Sequence, residues 1–199
     1  MNDFIFQSPT KIYFGRGKEN LIGEIIKEYN FHKILLVYGK NSIKKSGLYD
    51  KVISSLTNNN VSYLELSGIE PNPKLSKVKE GLKLIKEEHV DLILAVGGGS
   101  VIDTAKAIAC SYYIDEDPWC LNDHSVIPSK ALPVGVILTI SAAGSELSTS
   151  SVISNDETKV KSGYNTELNR PLFAVMNPEL TFSVSKYQTA CGIVDILMH

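Results

Sequence analysis

The run Asp91-Leu-Ile-Leu-Ala-Val-Gly-Gly-Gly-Ser-Val-Ile-Asp103 constrains the fold more than any other stretch of the chain. Leu92 to Val96 are five apolar residues in a row and read as a buried strand. Three glycines and Ser100 end it, and the helix-forming Thr104-Ala-Lys-Ala-Ile-Ala109 follows at once. Strand, glycine turn and helix start form the local geometry that holds a phosphate. Glycine lets the backbone come close, and the first helical N–H groups face the anion with the positive end of the dipole behind them. The spacing is not G-x-G-x-x-G, so the ordinary dinucleotide fingerprint does not apply. A glycine cluster after a strand also makes a plain tight turn. Phosphate binding is the stronger reading, and it needs support from elsewhere in the chain.

The rest of the first 180 residues alternates strand-like and helix-like segments. Lys11-Ile-Tyr-Phe14, Ile34-Leu-Leu-Val-Tyr38, Val61 to Leu66, Val134-Gly-Val-Ile-Leu138 and Leu172-Phe-Ala-Val-Met176 read as strands. Helical spacing joins Leu21, Ile22, Ile25, Ile26 and Tyr29, then Leu48, Val52, Ile53 and Leu56, then Val78, Leu82 and Ile85. Ser76 is expected to cap the last of these. The expected fold class is α/β: a Rossmann-like, mainly parallel sheet with helices on both faces. Ligands in such folds sit at the carboxyl ends of the strands. That rule gathers Gly39 to Ser42, Gly97 to Ser100, and Thr139 to Ser145. Residues 1–180 are expected to form this domain. Residues 181–199 break the pattern, and Ser185 reads as the N-cap of a helix that opens a second domain. The sequence stops at His199 in mid-helix without a capping residue, so more protein is expected to follow.

A chain of 199 residues can bury one good core. Its net charge of −2 and lack of a basic stripe argue against a nucleic-acid partner. Apolar runs of strand length, with no apolar leader, argue against a membrane partner and for the cytoplasm. Cys110, Cys120 and Cys191 lack metal-type spacing and read as reduced, buried thiols.

Asp195 and His199 are four residues apart, so both lie on one helix face and can share a divalent ion. As a bare pair they read better as an exposed i,i+4 contact, because two ligands are too few for a metal site.

Several ordered motifs shift that balance. Gly97-Gly-Gly-Ser-Val-Ile-Asp-Thr-Ala-Lys106, Ala143-Gly-Ser-Glu146 and Gly192-Ile-Val-Asp-Ile-Leu-Met-His199 occur in sequence. With Pro9-Thr-Lys-Ile-Tyr-Phe-Gly15 and Gly68-Ile-Glu-Pro-Asn-Pro73, they resemble the iron-containing (group III) alcohol dehydrogenases, in the branch of butanol dehydrogenases and broad aldehyde reductases. The resemblance implies an α/β dinucleotide domain followed by an all-helical one, with the active site between them. Asp195 and His199 match two of four metal ligands, the ion being Fe2+ or Zn2+. Gly98, Gly99 and Ser100 match the pyrophosphate turn, with Asp103 beside it, and Asn72 matches a position near the cofactor. Thr139, Ser145 and Val152 match positions along the nicotinamide half, and Lys161 matches a ribose contact. Structural alternatives stand beside three of these: core packing for Val152, a helix cap for Asp103, a solvated surface for Lys161.

Gly39 and Ser42 open the loop that bears on cofactor choice. No carboxylate occurs between Gly39 and Tyr49, while Lys40, Lys44 and Lys45 suit a 2′-phosphate. NADP(H) is therefore favoured over NAD(H). Lys40 and Asn41 depart from the Gly-Gly-Gly-Ser common in the branch, as does Ser141-Ala-Ala143 from Pro-Ala-Thr. The implied reaction is hydride transfer between a primary alcohol or aldehyde and NAD(P)(H), with a homodimer as the family expectation. A truncated, catalytically inactive nucleotide-binding fragment and a glycerol dehydrogenase-like relative stand as alternatives.

Overall fold

The computed structural model describes residues 7–198. Six strands form one sheet: β1 (Lys11–Phe14), β2 (Lys33–Tyr38), β3 (Ser62–Leu66), β4 (Leu92–Gly97), β5 (Val134–Leu138) and β8 (Phe173–Met176). Their order is β1-β8-β5-β4-β2-β3, and every pairing is parallel. The helices are α1 (Ile22–Glu28), α2 (Ser42–Lys45), α3 (Leu48–Asn58), α4 (Leu75–Glu88), α5 (Gly99–Ser111) and α6 (Lys186–Met198). The Rossmann-like expectation holds.

Alternation along the strands explains the layers. Leu35, Val37, Ile93 and Ala95 face one side and pack with Val78, Leu82, Ile85, Ile102 and Ile108 from α4 and α5. Ile34, Leu36, Leu92 and Leu94 face the other and pack with Ile22, Ile25, Ile26, Val52 and Leu56 from α1 and α3. Both faces of β4 are thus covered, which is why it reads as one unbroken apolar run. The chain leaves β2 through α3 on one face and β4 through α5 on the other. β3 lies outward of β2, whereas β5 lies on the opposite side of β4, so the winding reverses between β2 and β4. A crevice opens at such a reversal, beyond the carboxyl ends of the strands.

Three local readings change. A separate antiparallel hairpin, β6 (Ser150–Ser154) and β7 (Lys161–Asn165), fills a stretch in which no strand was expected. Its strands are serine-rich and only half covered, so they lack the apolar signal of the sheet strands. Ser76 is not the cap of α4, whose N-cap is Lys74. Its hydroxyl and backbone N–H instead donate to Asp156, in the turn between β6 and β7, so the hairpin supplies the carboxylate at this helix start. Cys110 and Cys120 are buried as expected, but Cys191 is exposed.

Ser185 does cap α6: its hydroxyl accepts from the Gln188 N–H at 3.2 Å. The only buried residue of that helix is Gly192, whose Cα face lies against the Ser141 carbonyl. Ile193, Val194, Ile196, Leu197 and Met198 are all exposed. Among the described residues no helix is long and apolar enough to cross a membrane.

Candidate dinucleotide site

Register sets the site. Tyr38 pairs with Val96 and Gly97 with Leu138, so β2, β4 and β5 end at one level. The residues that follow, Gly39, Gly98 and Thr139, line a single cleft of about 620 Å³, joined by Ser42 from α2. That volume is in the range of small-molecule and cofactor sites. Four of the expected cofactor residues therefore meet in one place.

The glycines at the end of β4 have steric reasons. A Cβ on Gly98 would lie 2.3 Å from Ile140 Cγ2, and one on Gly97 2.6 Å from Val101 Cγ2. A Cβ on Gly99 would meet nothing within 4 Å, so the turn faces open space where α5 begins. The open space beside Gly99, at the start of a 13-residue helix, is a fit for a diphosphate. Ser100 stands in the first turn of that helix, and its carbonyl accepts from Thr104 Oγ1 at 2.8 Å.

Three further expected residues, Asp103, Ser145 and Val152, form a second group beside the first turns of α5. Asp103 is inside α5 rather than at its cap. Its carboxylate accepts from Ser145 Oγ at 2.6 Å and from the Val152 N–H at 3.2 Å. Burial pushes this carboxyl up, against the Ser145 hydroxyl and the Lys106 ammonium, which draw it down. Val152 is half-buried between buried Ser151 and Ile153, so its side chain points away from the core. Asn72 and Lys161 form a third contact: Lys161 Nζ donates to Asn72 Oδ1 at 2.8 Å. Asn72 takes a left-handed φ of 57° between Pro71 and Pro73. The Ser154 N–H donates to the Pro73 carbonyl at 2.8 Å, fastening the hairpin to this turn. Lys161 is exposed but not free.

Sequence reasoning missed several charged groups. Lys106 is fully buried in the middle of α5. Its Nζ donates to the carbonyls of Ser145 at 2.6 Å, Ser148 at 2.9 Å and Ser150 at 3.0 Å, and to Ser148 Oγ at 3.2 Å. Burial pushes its ammonium down to about 8, against the pull of Asp103 and Glu146. Its signal in the sequence is a single lysine inside an otherwise apolar helical stretch. Glu70 lies between Lys40 at 2.6 Å and Lys74 at 3.0 Å, and these two ammonium groups bring its carboxyl down to about 2. Glu19 lines the cleft with no exposed side-chain surface, contacting Lys51 Nζ at 3.0 Å and accepting from Asn177 Nδ2 at 2.9 Å. Glu70 lies within the Gly68–Pro73 motif, which assigns it no role, and nothing short-range marks Glu19.

Asp195 is half-buried on α6, and His199 lies outside the described residues. Among the described residues no three His, Cys, Asp or Glu side chains converge to hold a metal. His32 meets Lys27 and His89 meets Tyr112, apart from the cleft.

The family model for iron-containing alcohol dehydrogenase matches residues 9–178. NADH-dependent butanol dehydrogenase A of Clostridium acetobutylicum is 48% identical over 200 residues, spanning all of this chain and 51% of that protein. The NADPH-dependent aldehyde reductase YqhD of Escherichia coli is 38% identical, again over the whole chain and 51% of the relative. The crystal structure of NADH-dependent butanol dehydrogenase A from Thermotoga maritima superposes with a TM-score of 0.97 at 43% identity, covering 100% of this chain and 50% of that one. The chain thus spans about half the length of the curated relatives it matches. Motif order, sheet topology and the glycine-lined cleft agree with these likenesses: the chain belongs to the iron-containing alcohol dehydrogenase family.

Proposed function

We propose that this chain is the dinucleotide-binding part of an oxidoreductase that interconverts primary alcohols and aldehydes with NAD(P)(H). The observation that carries the reading is the meeting of Gly39, Gly98 and Thr139 in one cleft at the winding reversal. The diphosphate lies on the N-terminus of α5, where Gly98 and Gly99 carry no side chain and Ser100 adds a hydroxyl to the backbone N–H groups. The adenosine half runs over the end of β2, past Gly39 and Ser42. The nicotinamide half runs the other way, past Thr139, Ser145 and Val152, with Asn72 and Lys161 closing the flank. Asp103 holds no substrate in this reading; it fixes Ser145 and Val152 relative to the phosphate turn.

Residues 1–180 form the cofactor domain and residues 181–199 the first helix of a helical domain. The exposed apolar residues of α6 support that division. Asp195 and His199 are proposed as two ligands of a divalent metal, Fe2+ or Zn2+. Asp195 alone, the one ligand among the described residues, does not complete such a site. The metal, when bound, would supply Lewis acidity to the substrate oxygen. The chain's own contribution is orientation, holding nicotinamide in register with α6. Absence of a carboxylate between Gly39 and Tyr49 supports NADP(H), while the Glu70–Lys40 contact supports NAD(H). NADP(H) remains the proposed preference, since Lys40, Lys44 and Lys45 outnumber Glu70.

Titration of the chain with NADPH and NADH, followed by butyraldehyde reduction with added Fe2+ or Zn2+, tests the reading. Turnover by this chain alone would contradict the metal assignment, since two of four ligands do not complete a site. Binding without turnover supports the alternative of a nucleotide-binding fragment. No binding of either nucleotide at millimolar concentration would end it.

A further inference from the structure

We propose that Lys106 is a positioning residue that works as an internal cation, shaping the segment 144–150 into one wall of the cofactor site. The inference rests on the dinucleotide reading above and adds a residue to it.

Residues 144–149 have no regular secondary structure before β6 begins at Ser150, yet Glu146 among them is buried and three carbonyls of the segment converge on one point. That point is the ammonium of Lys106, with the Ser145, Ser148 and Ser150 carbonyls and the Ser148 hydroxyl around it at 2.6–3.2 Å. Backbone carbonyls turned to a common centre repel one another unless a cation sits among them. An ammonium offers three N–H donors and no acceptor, so it suits such a cage. Helix strands and ladders give most backbone groups their partners; here one side chain gives partners to three.

The same helix face adds a second hold. Asp103, three residues before Lys106, accepts from Ser145 Oγ, while its own carbonyl accepts from Ser151 Oγ at 2.9 Å. Arg170 Nη1 also donates to the Leu147 carbonyl at 2.8 Å. The segment is therefore shaped by side-chain charges, chiefly those of α5, whose N-terminus is the proposed diphosphate seat. Through Lys106 the geometry of the wall beyond β5 is referred to the same helix that holds the phosphates. The adenosine half, over the end of β2, has no such dependence.

That asymmetry gives the test. Lys106→Met keeps the length and burial of the side chain and removes the cation. Binding of ADP, which engages only the adenosine and phosphate seats, and of NADPH would be measured by calorimetry for wild type and variant. The expected result is about tenfold weaker NADPH binding with ADP affinity unchanged within about twofold, from loss of charge-assisted hydrogen bonds. Equal weakening of both ligands, or no change in either, would overturn the proposal. Failure of wild type to bind either ligand would instead count against the dinucleotide reading. Should Lys106→Met not fold, Ser148→Ala removes one member of the cage and should weaken NADPH about twofold to threefold with ADP unaffected; an unchanged NADPH affinity there would overturn the proposal equally.

Discussion

Lys40 Nζ lies 2.6 Å from Glu70 Oε1, so a carboxylate absent from the loop after β2 is supplied by the loop after β3. Gly68, at the start of that second loop, donates its N–H to the Gly39 carbonyl at 3.0 Å, which holds the two loops side by side. Glu70 shares itself between Lys40 and Lys74, leaving one net positive charge on three side chains. Removing the carboxylate should favour a 2′-phosphate. Glu70→Gln is expected to raise NADPH affinity relative to NADH by about threefold, more at low salt, because exposed pairs are weak and screened. Competitive titrations at two ionic strengths check this, and an unchanged NADPH-to-NADH ratio would place Glu70 away from the 2′ position.

Gly98→Ala should damage binding more than folding. The new Cβ would lie 2.3 Å from Ile140 Cγ2, a methyl on a stiff β-branched side chain that lines the same cleft. Ile140 must then turn or the glycine turn must shift. The expected outcome is NADPH binding weaker by about tenfold or more with the fold kept and Tm lowered by about 2–12 °C, since overpacking costs about 1–3 kcal/mol. Nucleotide affinity at wild-type level would show that the turn tolerates a side chain and does not touch the ligand.

Gly192→Ala probes how α6 is attached. A Cβ there would sit 2.7 Å from the Ser141 carbonyl oxygen, and backbone cannot swing aside as a side chain can. The helix has no other buried residue to hold it. Amide exchange across residues 186–198 should accelerate about tenfold or more, while exchange in β4 and β5 stays unchanged. Uniform acceleration across the chain would contradict this local account.

Glu19 predicts a pH dependence. Burial opposes its ionisation, yet its own backbone N–H, Lys51 and Asn177 outweigh burial and hold the carboxyl below its ordinary 4.5. A depressed carboxyl stabilises the folded state above the unfolded value and loses that contribution as pH falls through the folded one. Stability of wild type should therefore exceed that of Glu19→Gln at pH 7, by about 1–3 kcal/mol. The two should converge as pH drops below 4.5. Urea melts at several pH values check it, and a difference that persists at pH 2 would assign the effect to packing instead.

The elements that the sequence revealed are those whose signals are local. β4 announces itself as an apolar run, α3 and α4 by helical spacing, the turn after β4 by its glycines, and α6 by Ser185. Hairpin β6–β7 was illegible because its ten residues, SSVIS and KSGYN, hold only Val152, Ile153 and Tyr164 as apolar side chains, too few to mark a buried face. Gly39, Gly98 and Thr139 could be grouped from sequence by the rule for strand ends, since parallel register aligns those ends. Asp103 was found, but its partners Ser145 and Val152 were not assigned to it, being 42 and 49 residues away.

Sequence alone determined the fold class, the place of the glycine turn after β4 and the family, because apolar periodicity and glycine placement act over a few residues and survive in the order of letters. Tertiary structure alone decided which charges meet. Lys106 found its carbonyl cage, Glu70 its two lysines and Glu19 its place in the cleft wall through contacts formed when strands far apart in the chain came to lie side by side. Electrostatic partnership depends on distance in space, and sequence separation carries no measure of it.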